Sequence, residues 1–415
     1  MLLEFSCSNY KSIKDKVFFS ALAGTDKTNI DKTKDMGNYR VLRSAAIYGA
    51  NGSGKSNFID AILFVASLVR NSIKLQPGEG ILQIPHKMVG FNEKSSFRIQ
   101  FVKNEIRYIY GFSLDKMIVA DEYFYYFPNG KRTKIFERKN EIFQTGRNFQ
   151  GKLERCKDVL KPNRLLLSCA ANFSSVPEIE QAYRFFAEDL VVYRSDVQDQ
   201  WMQYSLQQIN SNKMMKVAFL EMVKTLGVAV KDIKVKIGQK KLEPSELPPF
   251  LADDFKAKLL QELTQVISAK VVYNTFETDL FNEESAGIKK LFAFICPFLD
   301  IMANGKVLIC DELESGLHES LVYGMLKLFM NLELEKFPQI FFATHDTNLL
   351  TPDLFRRDQI WFTELKGEDR ATDLFSLAEI KNVRKDENFE KGYISGRYGA
   401  IPMLNETFVN NVSKM

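Results

Sequence analysis

Histidine is scarce, with three in 415 residues. The five cysteines (Cys7, Cys156, Cys169, Cys296, Cys310) show no C-x-x-C spacing, so a zinc centre is not expected. Several cysteines sit in apolar runs and read as reduced, buried thiols of a cytoplasmic protein, not as a disulfide frame. No apolar run approaches the ~20 residues of a membrane span. The longest candidate, near Leu291 and Leu299, is short and carries Pro297. The first residues, MLLEFSCSNYKSIKDK, reach an acid at the fourth position and alternate as a strand does, which argues against a signal peptide. Repeats and low-complexity tracts are missing. No a/d heptad persists for three or four turns of the repeat, so a long coiled-coil arm is not expected. The net charge of +4 permits nucleic-acid binding and does not indicate it. What the chain does have is size: 45% apolar content over this length can bury a large core in two or three subdomains.

One stretch stands out. Residues 47–58 read IYGANGSGKSNF, which satisfies G-x-x-x-x-G-K-[ST] with Gly49, Gly54, Lys55 and Ser56. Glycines there let several backbone N–H groups turn toward one phosphate without side chains in the way. The lysine reaches the outer phosphates and the hydroxyl of Ser56 ligates Mg²⁺. The candidate cradle is Gly49, Ala50, Asn51, Gly52, Ser53, Gly54, Lys55, Ser56 and Asn57. AAIY before it reads as a buried strand. NFIDAILFVASLVRN after it places Phe58, Ile62, Val65 and Leu68 at helical spacing.

Around this centre the chain divides into three expected regions. Residues 1–160 form a first lobe around the glycine loop, with a two-stranded start and an antiparallel flank from Ser96 to Thr145, where alternating runs are separated by turns such as Asn129-Gly130. Residues 161–264 read as a compact helical insertion, in which Pro244, Pro248 and Pro249 mark a loop or linker. Residues 265–415 return to parallel-sheet signals at KVLICDE and QIFFATHD. A doubly wound α/β sheet places its ligand at the carboxyl ends of such strands.

Three further motifs belong to those ends. In GKVLICDELESGLHESL a buried strand over residues 307–310 ends at Asp311, beside Glu312. One carboxylate can hold Mg²⁺ through its water shell, and the next can polarise an attacking water. In ATHDTNLL, His345 ends the next strand, where an imidazole can donate to a γ-phosphate; a satisfied structural histidine is the alternative. In NEESAGIKKLFAFICPFL, Ser285 is an N-cap and, with Gly287, sits at a helix start suited to an anion. The helix runs through Ile288, Leu291, Phe292 and Ile295 until Pro297 bends or ends it; a plain capped helix is the alternative.

The order glycine loop, Ser-x-Gly helix start, apolar-Asp-Glu, strand-Thr-His resembles the ATP-binding-cassette ATPases, especially the heads of structural-maintenance-of-chromosomes, RecF and overcoming-lysogenisation-defect proteins. The resemblance implies an α/β, ABC-type P-loop fold with ATP and Mg²⁺ as cofactors. Lys55 and Ser56 would bind phosphate and metal, Asp311 would hold Mg²⁺, Glu312 would be the catalytic base and His345 the switch. Ser285 and Gly287 would act in trans on a second copy's nucleotide, and ESGLHE would correspond to the D-loop. The opening MLLEFSCSNYKSIKD and the tail ENFEKGYISGRYGAIP resemble the RloA/AbiL-type bacterial ATPases, which carry an AAA label. In that pattern Lys11 approaches the nucleotide; an exposed strand-end lysine is the other reading. No glutamine fits the γ-phosphate-sensing position of cassette ATPases, Gln83 and Gln144 included.

The resemblance implies an abortive-infection component: a homo-oligomer, at least a head-to-tail dimer closed on ATP, working with a separately encoded effector, commonly a nuclease. A DNA-repair or chromosome-maintenance ATPase that binds DNA directly is the alternative. A transporter ATPase is disfavoured by both chain ends. Within this chain GEDRATD reads as a polar turn, not a metal-dependent nuclease site, and the basic residues 131–139 as a solvated strand face, with contact to DNA or RNA phosphates the alternative. The tail glycines Gly392, Gly396 and Gly399 suit either a partner or a turn against the core.

Overall fold

The structure, a computed structural model, describes residues 1–241, 263–331, 333 and 335–402. The linker prolines Pro244, Pro248 and Pro249 lie outside the described residues. The chain divides into two units. The first comprises Met1–Tyr193, Ile301–Glu314 and the chain from Leu326 onward; the second comprises Arg194–Asp300 and Ser315–Met325. The expected insertion is thereby shared, since residues 161–193 belong to the first unit.

In chain order, β1 (Leu2–Ser8) and β2 (Val17–Ser20) form an antiparallel pair, and β3 (Thr33–Asp35) and β4 (Arg40–Leu42) a small hairpin. The buried β5 (Ser44–Tyr48) leads through the glycine loop into α1 (Lys55–Asn71). Then come β6 (Ser95–Lys103), β7 (Ile106–Asp115), β8 (Ile118–Tyr126), β9 (Thr133–Lys139) and β10 (Ile142–Thr145). They extend the first pair into a seven-stranded antiparallel sheet, β10-β9-β8-β7-β6-β1-β2. In β7 the period of two is plain: Tyr108, Tyr110, Phe112 and Leu114 are all buried.

Three short helices follow: α2 (Cys156–Val159), α3 (Leu166–Phe173) and α4 (Pro177–Arg184). β11 (Leu190–Tyr193) closes the first stretch of this unit. The second unit holds α5 (Gln198–Ser211), α6 (Lys213–Thr225) and the antiparallel strands β12 (Asp232–Lys241), β13 (Leu263–Val272) and β14 (Glu277–Asp279). The unit boundary falls within α7 (Ala286–Asn304), which continues past Pro297. After β15 (Val307–Cys310) come α8 (Glu319–Asn331), β16 (Gln339–Ala343), β17 (Ile360–Lys366), β18 (Ala371–Ser376) and α9 (Phe389–Ile394).

The second sheet of the first unit has the order β11-β15-β16-β5-β17-β18, parallel throughout except for β18. The strand feeding the glycine loop is therefore central. The strands leading to His345 and to Asp311, β16 and β15, lie one and two places from it on the same side. α1 bridges the aromatic cores: Phe58 meets Phe5 of β1 at 5.6 Å between ring centroids, and Phe19 of β2 meets Phe341 of β16 at 5.3 Å. Truncating a fully buried ring such as Phe58 costs roughly 3–5 kcal/mol.

The basic run 131–139 is not all solvated. Arg138 is buried and donates to Glu122, which is equally buried and also accepts the main-chain N–H groups of Leu166 and Leu167 at the start of α3. An anion at a helix start is favourable, and this one ties β8 and β9 to the helix. The tail folds onto its own unit. Tyr393 of α9 lies 5.8 Å from Tyr48 and stacks on Phe362 at 5.4 Å. A side chain at Gly392 would collide with the Tyr398 ring. All five cysteines are buried thiols outside any disulfide.

Candidate functional site

The glycine loop ends β5 and becomes α1 at Lys55. Gly52 and Gly54 have φ of 76° and 107°, a region that L side chains rarely adopt. At Gly54 there is a second constraint, because a Cβ would be driven into Thr372. No side chain caps α1, so the first-turn N–H groups and the positive end of a 17-residue helix are left for an anion. Lys55 is 6% exposed, and its Nζ donates to the carbonyls of Gly49 at 2.8 Å and Ala50 at 3.2 Å. Burial pushes its pKa down to about 8, against the pull of Asp311, Glu312 and Glu314. Those three carboxylates are thus close enough to act on the lysine. Ser56 is exposed at the second helical position.

Asp311 follows β15 and its N–H donates to the Tyr193 carbonyl at 3.0 Å. Glu312 is exposed and holds a left-handed backbone, φ 51°, at a strand end where a non-glycine residue is strained by about 1–2 kcal/mol. His345 follows β16. Burial is the first cause of its lowered pKa and the Lys55 charge the second, so the imidazole is neutral near pH 7. Its main-chain N–H donates to Glu314 at 2.7 Å.

Sequence reasoning missed the residues that brace the loop. Thr363 of β17 shares a hydrogen bond with the Ser53 hydroxyl at 2.6 Å, and Thr372 of β18 donates to the Ser53 carbonyl at 3.0 Å. Ser12 pairs with Thr372 at 2.7 Å and accepts from the Asn57 amide at 2.7 Å. The GEDRATD turn brings Asp369 to Lys14 at 2.6 Å, fastening the β17–β18 hairpin to the N-terminal turn. The only local signal was the polar residue inside an apolar strand, as in IWFTELK.

Lys11 has φ 50°, and its ammonium is ion-paired with the largely buried Asp60 of α1. It stands along α1 without contributing a hydrogen bond to the loop among the described residues. Ser285 and Gly287 belong to the second unit. The Ser285 hydroxyl accepts the Ile288 N–H at 3.3 Å, as an N-cap does, and a Cβ at Gly287 would stand 2.9 Å from the Gly316 carbonyl. Gln83 is engaged with the Lys116 carbonyl, and Gln144 lies exposed on β10.

A loop of this kind, with a buried lysine under the charge of two carboxylates that follow one parallel strand, defines a P-loop fold of the α/β class. The chain belongs to the family described as "AAA domain, putative AbiEii toxin, Type IV TA system", which it matches over residues 44–155 and 247–351, more than half its length. It is an AAA-type ATPase-domain protein. No curated protein matches it. Similar solved structures include "SMC head domain from Thermotoga maritima" (14% identity, TM-score 0.41, 90% of this chain and 98% of that chain). An Smc head with an extended coiled coil bound to the C-terminal domain of ScpA, derived from Pyrococcus furiosus, matches at 14% identity and TM-score 0.41, covering 96% and 98%. The SmcHead bound to the C-winged helix domain of ScpA matches at 15% and 0.46, covering 90% and 97%. No helix among the described residues is long and apolar enough to cross a membrane.

Proposed function

We propose that this protein is an ATP-hydrolysing switch of phage defence that closes as a head-to-tail dimer on ATP and controls a separately encoded effector, a nuclease. The observation that carries the ATPase reading is Lys55, buried with its ammonium on the Gly49 and Ala50 carbonyls of the glycine loop and under the charge of Asp311 and Glu312. Ser56 and Asp311 would hold Mg²⁺; their hard oxygen donors suit that ion. When bound, Mg²⁺ neutralises charge across the outer phosphates. Lys55 and the first amides of α1 bind and orient the triphosphate. Glu312 takes the proton of the attacking water. His345, neutral, donates to the γ-phosphate and senses its loss. In the dimer, Ser285 and Gly287 at the start of α7 offer their N–H groups to the nucleotide of the facing copy. The family's description as a toxin of a toxin–antitoxin system supports a role in growth control.

Calorimetry of Lys55→Ala tests the site. Loss of Mg-ATP binding by at least ~10-fold is expected from a charge-assisted contact, with the fold retained because the lysine sits at a loop end. Unchanged affinity removes the cradle assignment. Expression of this chain alone and with its neighbouring gene, scored for growth during infection, tests the two-component scheme. Full protection by this chain alone contradicts it.

A further inference from the structure

Three buried polar atoms without hydrogen-bond partners gather at the carboxyl ends of adjacent strands: the Tyr48 hydroxyl at the end of β5, Glu314 Oε2 after β15 and Asp346 Oδ2 after β16. Tyr48 is fully buried, and the carboxylates whose charges reach it most are Asp346 and Glu314. An unpartnered buried oxygen is costly, and one of this kind at a nucleotide site needs a reason. Glu314 has one. Its other oxygen, Oε1, accepts the main-chain N–H of His345 at 2.7 Å, and its charge acts on both Lys55 and His345. Leu313, between Glu312 and Glu314, is buried. One side chain therefore joins the turn that carries Asp311 and Glu312 to the residue that faces the γ-phosphate.

We propose that Glu314 is the positioning residue for His345: Oε1 fixes the histidine's main chain, and Oε2 is kept for a water that arrives with the triphosphate and donates to it. This rests on the ATPase reading above. A threonine or alanine at this position would leave the His345 N–H without its acceptor. A glutamine would keep an acceptor oxygen in place. The role is thus indirect: Glu314 acts on discrimination between ATP and ADP through His345, not on the adenosine diphosphate part of the ligand.

The test is a double-mutant cycle on the full chain, read as the ratio of affinities for a non-hydrolysable ATP analogue and ADP by calorimetry. Glu314→Ala should lower that ratio about tenfold, the range of a hydrogen bond to a charged group; its effect on the charge of Lys55 falls on both nucleotides and cancels in the ratio. His345→Ala should lower it similarly, and the double variant no further. Glu314→Gln should stay within about threefold of wild type. Should Glu314→Ala fail to fold, Glu314→Asp, shorter by one methylene, carries the same expectation in the same cycle. Additive losses overturn the proposal, because the two residues would then act independently. A wild-type ratio in Glu314→Ala or Glu314→Asp overturns it as well. Failure of the underlying reading looks different: the unmutated chain would bind neither nucleotide.

Discussion

The glycine loop and the Ser285 turn are both candidate anion cradles at helix starts, and they are held in opposite ways. The loop is gripped by side chains far away in sequence. Thr363 and Thr372 come from a hairpin more than three hundred residues downstream, and Ser12 from the N-terminal turn. The Ser285 turn is held by its own surroundings: the Ile288 N–H, the main chain at Gly316 and the Lys290 ammonium on the Ser315 carbonyl. Long-range bracing fixes a shape before any ligand arrives, so the ordering cost of binding is met in folding. A locally held turn depends on what it meets. This contrast suits a division in which one cradle binds nucleotide unaided and the other acts only when a second copy closes.

The largest expected effect separates chemistry from both cradles. Glu312→Gln should bind ATP normally and hydrolyse it at least ~100-fold more slowly, since an amide cannot accept the water's proton. Single-turnover assays check this, and wild-type turnover would move the base elsewhere. Ser285→Arg, placed in that slow background, should abolish ATP-driven association in analytical ultracentrifugation while monomer affinity stays within about threefold. A bulky cation obstructs a facing subunit but not the chain's own loop, about 1 kcal/mol at most on local terms. A persisting ATP-dependent dimer would break the comparison. Thr372→Val should weaken monomer ATP affinity about three- to tenfold, the worth of one neutral hydrogen bond, whereas Ser285→Ala should not. Equal losses would erase the distinction between the two cradles.

The smallest effect is a protonation change. Phosphate favours charged Lys55, whose pKa in the free protein is lowered to about 8 by burial. Above that pH, binding should draw in a proton, seen as a buffer-dependent heat in calorimetry. The sign for stability follows. With the folded pKa below the ordinary 10.5, the unfolded chain holds more protons between about 8 and 10.5. The cost of burying this ammonium is therefore full below pH 8 and relieved as the pH rises through that window.

The cradle and the Asp311-Glu312 strand were legible because each is a short pattern flanked by its own secondary structure. The antiparallel flank was legible for the same reason, its alternation being local. The braces were not. Nothing near Thr372 in sequence announces Ser53 or Gly54, which it meets only after β18 pairs with β17 and β17 with β5. Arg138 read as solvated because charge runs usually are; its partner Glu122 lies one strand away. β12 and β13 carried a readable signal in the alternation of DIKVKIGQ and VISAKVV, overshadowed by the helices before them.

The buried thiols turn the protein into its own reporter of opening. Burial raises the pKa of Cys156 to about 11 and those of Cys169 and Cys296 to about 12, and pushes Cys7 higher still. At neutral pH none of these four offers a reactive thiolate until the structure around it parts. Cys296 is the cysteine of the second unit; the other four, Cys310 among them, lie in the first. Alkylation followed residue by residue with mass spectrometry would therefore time the breathing of each unit separately. The same labelling with ATP present would show which unit the nucleotide quiets.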